Sequence, residues 1–426
     1  MERGDGAHAA AVTLWPVSRD LVYLMLIFGL LVVPRALQRL RIPAPITSLL
    51  LGLGAMLLWG EQTHDPVVVL LSVLGISSLF LFAGLEVDWA TLRKCAGRLL
   101  VHLAIRVAAL FATGWLAWRY LDLGWQAAAL LALALLTPST GFILDTLERM
   151  GLAPDERFWV TSKAIAGELL ALAVLFVALQ AGDAAQLGMS SLAMLALLVG
   201  LPLLFLALGR WVLPQAPGAE FSLLVMVGMV AAYVTYRLGV YYLVGAFIAG
   251  LTARLLRERM PKLASHDNIH ALRLFASFFV PFYFFHAGTV ISRDALSWDA
   301  LLVGLGLTAV VLPLRVAVAW LQRRWLFGDG REAAMRVSVS LAPTLVFTLV
   351  LAQILYARFD IPGALFGGLV LYTVLNTMLP SLVLKQTFDI DPLDATAPPP
   401  NPEDAIDPAR LNPSGNTPPS SPPAPS

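Results

Sequence analysis

The sequence predicts an all-α polytopic membrane protein, with about thirteen transmembrane helices arranged as two inverted six-helix repeats whose discontinuous helices correspond. Three observations predict it. Apolar runs of about 20 residues recur along most of the chain, each long enough to cross a hydrocarbon core of about 30 Å. Basic residues alternate from loop to loop as the positive-inside rule requires. Short motifs from the first half return in the second at a nearly constant offset.

The composition agrees with the first observation. Of 426 residues 58% are hydrophobic and only 13% charged, whereas a soluble domain carries about 25% charged residues. The net charge of +1 gives no electrostatic footprint for nucleic acid. Cys95 is the sole cysteine, so no intrachain disulfide forms, and no Cys/His cluster has metal-ligand spacing. Nothing calls for a bound cofactor or a soluble nucleotide-binding domain. The first 19 residues form a short N-terminal segment without the basic start and apolar core of a secretory signal, so the first helix is expected to be retained.

The predicted spans are approximately 20–40, 43–60, 66–87, 97–118, 124–149, 157–181, 189–213, 220–237, 239–256, 269–291, 299–322, 332–357 and 361–384. From Asp391 to Ser426 lie 12 of the 28 prolines, with Ser, Asn and Ala. Residues 386–426 are therefore expected to form a Pro-rich disordered tail, unable to bury a core. With the N-terminus outside, 21 basic residues fall on the inner side and 6 on the outer; Arg106 and Arg315 lie within spans and complete the 29. An even number of spans would scramble this asymmetry. It predicts an extracytoplasmic N-terminus and a cytoplasmic C-terminus.

The repeat is read from three matches. Phe82-Ala83-Gly84 closes the third span and His286-Ala287-Gly288 the tenth, 204 residues apart at each glycine; Leu92 and Leu296 keep the same offset. Thr137-Pro138-Ser139-Thr140 interrupts the fifth span and Ala342-Pro343-Thr344 the twelfth, at an offset of 205. Arg106-Val107-Ala108 and Arg315-Val316-Ala317 lie 209 apart. Repeat one is then about 20–181, the linker helix about 189–213 and repeat two about 220–385. Seven helices separate partners, so the copies run in opposite directions, and paired interruptions point to a transport site.

Glu168 lies about twelve residues into the sixth span, ~18 Å along its helix and close to the bilayer centre. A charge there costs at least ~2.5–3.5 kcal/mol. Its neighbours Ala164-Ile165-Ala166-Gly167 and Leu169-Leu170-Ala171 offer no partner. Such a carboxylate can take a proton at one moment and a metal cation at another; the plain alternative is a permanent ion pair with Arg106 or Arg315. Arg315 lies nine residues before Arg324, ~13 Å into its span. It stays protonated and is read as the counter-charge of an empty Glu168; Arg106 is read as structural. Pro138 and Pro343 each remove a backbone hydrogen bond. Thr137, Ser139, Thr140 and Thr344 supply hydroxyls beside the freed groups. Lys163 is expected to anchor the inner face. The stretch Gly245–Gly250 reads as a helix-packing surface.

These residues resemble the sodium/hydrogen exchanger superfamily, in its branch of bacterial Kef-type and Nap-type antiporters. The resemblance covers about residues 20–385 and rests on Leu79–Asp88, the Thr137–Thr140 break, the helix with Glu168, Gly245–Leu251 and Phe282–Gly288. It implies a bacterial inner-membrane transporter with a mobile core domain and a dimerisation domain. Broken helices cross in that core, and a carboxylate on the helix after the first break, here Glu168, binds the monovalent cation, Na+ or K+, or the proton. It places Arg315 where members carry Lys or Arg. It implies a homodimer in membrane lipid, through the first, third, eighth and tenth spans, where Gly29, Gly75 and Gly228 permit close approach. Members usually have aspartate at the Glu168 position, preceded by Asp or Asn; this chain has Gly167 before its glutamate. Lack of that second acid predicts electroneutral exchange. Two other readings stand beside cation/proton antiport: sodium-coupled transport of an organic anion, favoured by the two deep arginines, and a transport-inactive sensor. An intramembrane enzyme is disfavoured, because no Ser/Lys, Ser/His or Asp/Asp pair lies at span depth.

Overall fold

The computed structural model describes residues 19–60, 65–182 and 184–384. The N-terminal residues before Arg19 and the Pro-rich tail lie outside them. No strand occurs among the described residues. The helices are α1 (Arg19–Gln38), α2 (Ala44–Trp59), α3 (Pro66–Leu85), α4 (Trp89–Lys94), α5 (Ala96–Tyr120), α6 (Trp125–Leu136), α7 (Thr140–Thr146) and α8 (Pro154–Gln180). They continue with α9 (Ala184–Trp211), α10 (Glu220–Arg237), α11 (Tyr242–Leu255), α12 (His266–Thr289), α13 (Trp298–Leu326), α14 (Arg331–Ser340), α15 (Leu345–Phe359) and α16 (Gly363–Val383).

Among the described residues ten segments are long and apolar enough to cross a membrane, with Trp125–Met150 counted as one. The pair α14 and α15, bent by 41°, makes an eleventh, and α2 and α11 are shorter apolar helices. The thirteen expected spans are thus all helical. The six-residue α4 was not expected; it lies between the third and fourth spans.

Proline placement accounts for the interruptions. The residue before a proline is driven into extended backbone. Thr137 accordingly leaves the helix at φ −79°, ψ 120°, and the chain resumes as α7 at Thr140. The second break surrounds Pro343: α14 stops at Ser340 and α15 starts at Leu345.

The helices pack in two groups. In one, α3 lies against α11 and α12, α2 against α12 and α1, and α10 against α11. In the other, α13 lies against α14 and α16, α15 against α6 and α16, and α8 against α5, α6 and α14. Each group takes three spans from each half of the chain; α9 touches α8, α10 and α11, and α3 meets α7.

Glycines set the first group's close contacts. A Cβ on Gly84 would fall inside the contact distance of the Phe247 carbonyl, and one on Gly250 inside that of the Leu81 carbonyl. The repeat-related Gly288 meets the Leu49 carbonyl in the same way. Small residues thus bring backbones together where no hydrophobic force between helices exists in lipid. Gly75 and Gly228, expected to serve a subunit interface, are occupied within the chain by the Phe279 carbonyl and the Leu81 side chain; Gly29 has open space beside it.

Candidate ion-binding site

The two breaks touch. The Ser139 amide donates to the Pro343 carbonyl at 2.8 Å, and the Ser139 hydroxyl accepts from the Val346 amide at 3.4 Å. Thr348 Oγ1 donates to the Ala134 carbonyl at 2.7 Å, and the Tyr372 hydroxyl to the Leu135 carbonyl at 2.8 Å. Carbonyls freed near the end of α6 are therefore satisfied from the second half of the chain, as non-helical backbone at membrane depth demands. At the second break Asn376 of α16 accepts from the Thr344 amide at 3.2 Å and donates to Thr344 Oγ1 at 2.8 Å.

The repeat-related arginines do corresponding work. Arg106 Nη2 donates to the carbonyl of Leu136, the last residue of α6, at 3.1 Å. Arg315 donates to the carbonyls of Leu341 at 3.3 Å and Ala342 at 2.9 Å, where α14 ends, and to the Tyr372 hydroxyl at 3.0 Å. Each guanidinium meets the partly negative C-terminal end of one half-helix. No ion pair of 4.0 Å or less joins either arginine to Glu168 among the described residues.

Glu168 is 1% exposed. Its Oε2 has no hydrogen-bond partner. Thr140 stands beside the carboxylate, but its Oγ1 completes no hydrogen bond either, and Thr137 Oγ1 is a third buried oxygen without a partner. Buried polar atoms are almost always paired, so three orphans around one break need an explanation such as an ion or water. The donors are all oxygen, as hard cations prefer. Among the described residues no group of three or more His, Cys, Asp or Glu could hold a metal ion.

Sequence reasoning thus named Glu168, Thr137, Ser139, Thr140, Pro138, Pro343, Thr344 and Arg315, and the structure places them at the two breaks and the helices against them. It passed over Thr348, Tyr372 and Asn376. A signal existed for the last two, since an amide and a phenol deep in the thirteenth span are costly unless bonded. Lys163 is not an interfacial anchor: it is 1% exposed, its Nζ donates to Gln322 Oε1 at 3.3 Å and it lies 4.8 Å from the Phe327 ring centre. His102 Nδ1 meets the same Gln322 oxygen at 2.9 Å.

Residues 24–389 match the family model described as sodium/hydrogen exchanger, transmembrane. The chain belongs to this family. As in the family's description, it is a multi-pass membrane protein, and the family is one of transporters. Its fold is similar to that of the sodium proton antiporter MjNhaP1 from Methanocaldococcus jannaschii, with a TM-score of 0.60 at 16% identity, covering 85% of this chain and 96% of that one. Comparison with curated proteins finds no match.

Proposed function

We propose that this exchanger swaps one monovalent cation, Na+ or K+, for one proton at Glu168, with no net movement of charge. The observation that carries the reading is the buried Glu168 carboxylate with an unpartnered oxygen, beside Thr140 at the first break, where the hydroxyls of Thr140 and Thr137 are also buried and unpartnered. A proton or a cation neutralises the carboxylate, and the two exclude each other. Gly167 supplies no second acid, so one proton leaves for each cation that enters. Alternating access follows if the group of α5–α8 and α13–α16 moves against the group of α1–α3 and α10–α12.

We place the protein as a homodimer in a bacterial inner membrane, N-terminus outside and C-terminus in the cytoplasm. Against the organic-anion alternative, the guanidiniums of Arg106 and Arg315 are already directed at the ends of α6 and α14. The test is ion-dependent pH change in proteoliposomes. Wild type exchanges Na+ or K+ for protons, and Glu168→Gln, which keeps shape but cannot be ionised, abolishes exchange while the protein stays folded. Exchange by Glu168→Gln at the wild-type rate would sink the assignment. Transport driven by membrane potential alone, with no pH or cation gradient, would show that net charge moves and that the one-carboxylate scheme is wrong.

A further inference from the structure

We propose that Arg106, rather than Arg315, is the movable counter-charge of Glu168, taking the carboxylate when it holds neither proton nor cation. The inference rests on the antiport reading above and extends it. Gly167 directly precedes Glu168 on α8. A Cβ built on Gly167 would lie 3.1 Å from Arg106 Cζ and 3.3 Å from its Nε and Nη1. The guanidinium of α5 therefore lies directly against the position a side chain at 167 would take. The unusual glycine before the glutamate is what admits a positive charge to this place.

The hydrogen bonds of the two arginines decide which can move. Arg315 is held by three, to Leu341, Ala342 and Tyr372. Arg106 is held by one, to Leu136, and its Nε is buried without a partner. Swinging Arg106 towards the neighbouring residue of α8 breaks one bond; swinging Arg315 breaks three and opens the second break.

The other charged groups on elements packed against α8 are elsewhere. No charged residue lies on α6. On α14, Arg336 is paired with Glu156 near the start of α8, and Glu332 lies beside it. Asp145 lies five residues beyond Thr140 on α7. Arg210 of α9 is exposed. His102 of α5 and Lys163 of α8 itself share Gln322; Arg98 of α5 lies over the Trp159 and Phe327 rings, Arg119 over Tyr120 at the other end of α5, and Arg331 of α14 is exposed.

One guanidinium then has two claimants. With Glu168 neutralised, Arg106 offsets the α6 C-terminus, worth about half a negative charge. With Glu168 bare, the full charge of the carboxylate wins and the Leu136 carbonyl loses its partner. A loaded carrier satisfies both negative ends and an empty one always leaves one unmet. That difference disfavours crossing by the empty carrier, and so couples cation to proton.

The experiment measures initial Na+-driven proton flux against Na+ concentration in proteoliposomes, at fixed pH and zero potential. Arg106→Gln keeps a polar side chain but brings no charge to compete with Na+. The apparent KM for Na+ falls roughly tenfold and the maximal rate falls as release slows. Arg106→Lys keeps a charge and stays within about twofold of the wild-type KM. Gly167→Ala, whose methyl only nudges the flexible guanidinium by a few tenths of an ångström, lowers KM by a smaller factor, and Arg106→Gln added to it brings KM to the value of Arg106→Gln alone.

A wild-type KM in Arg106→Gln would reduce Arg106 to a helix cap and overturn the proposal. So would a fall in KM on Arg315→Gln with none on Arg106→Gln. If Arg106→Gln does not fold, Arg106→Met, which fills the same channel without charge, with an unchanged KM is the overturning result. Loss of exchange in Glu168→Gln alongside an unmoved KM in Arg106→Gln sinks this inference alone; full exchange in Glu168→Gln sinks the antiport reading beneath it.

Discussion

Asn376→Ala tests whether the crossing of the two breaks is held from α16. The Asn376 amide makes two buried bonds to one residue: it accepts from the Thr344 amide at 3.2 Å and donates to Thr344 Oγ1 at 2.8 Å. Both residues are 0% exposed. The hydroxyl has other company, Thr348 Oγ1 at 2.6 Å and Thr373 Oγ1 at 3.4 Å, so its loss is partly absorbed. The Thr344 amide is at a break and has no helical acceptor to fall back on. A typical net hydrogen bond contributes about 0.5–1.5 kcal/mol, and a buried donor left unpaired costs about 1–3 kcal/mol. Asn376→Ala is therefore expected to destabilise by about 2–4 kcal/mol. Thr344→Ala keeps its amide bond and costs less, about 1 kcal/mol. Because the residues share one side-chain bond, the double variant falls short of the sum by about 0.5–1 kcal/mol, no more than the cost of Thr344→Ala itself. Reversible unfolding in mixed micelles gives these numbers, and exchange in proteoliposomes shows whether the site follows: Asn376→Ala lowers the rate with Glu168 intact. Additivity of the two changes together with wild-type exchange would refute the claim that Asn376 aligns the second break.

Two further outcomes are expected. Gly84→Leu forces a side chain into the Phe247 carbonyl and the Gly250 backbone; since backbone cannot give way as a flexible side chain can, folded yield after detergent extraction collapses, whereas Gly29→Leu, with nothing within 4 Å, leaves it unchanged. Topology reporters fused after Val17 and after Ile390 report opposite sides of the membrane, and both on one side would remove the odd-span topology.

The fold was readable because membrane insertion imposes a coarse, long-range grammar. Runs near 20 residues, loop charge and a repeated offset survive without any knowledge of contacts. What was missed follows from the same coarseness. The short α4 carries Arg93 and Lys94 in its last turn and is too brief for hydropathy to register. Gly75 and Gly228 looked like subunit contacts because a glycine in a span signals close approach without naming the neighbour; the neighbours are Phe279 and Leu81 of the same chain. Lys163, near the predicted start of its span, read as an anchor by position alone, and only the packing of α5, α8 and α13 shows it buried against Gln322 and Phe327.

The arginines show where residue type stops being informative. Two guanidiniums, 209 residues apart in matching triplets, invite a search for carboxylate partners, and the lone deep acid is Glu168. The acceptors they use are main-chain carbonyls of Leu136, Leu341 and Ala342, and a carbonyl is present at every residue. It becomes a strong acceptor only where a proline has cut the helix and left the end unpaired. Pro138 and Pro343 therefore create the partners of Arg106 and Arg315, and the repeat conserves a pairing between a break and an arginine rather than between two charged side chains. Reading each break as a source of half-charges, and asking which nearby guanidinium answers it, would have paired Arg106 with α6 and Arg315 with α14 from the matched order of motifs alone. Glu168 has no counterpart in that scheme. It stands outside the symmetric pairing, and an unpaired buried carboxylate is what a site that must alternate between two ligands requires.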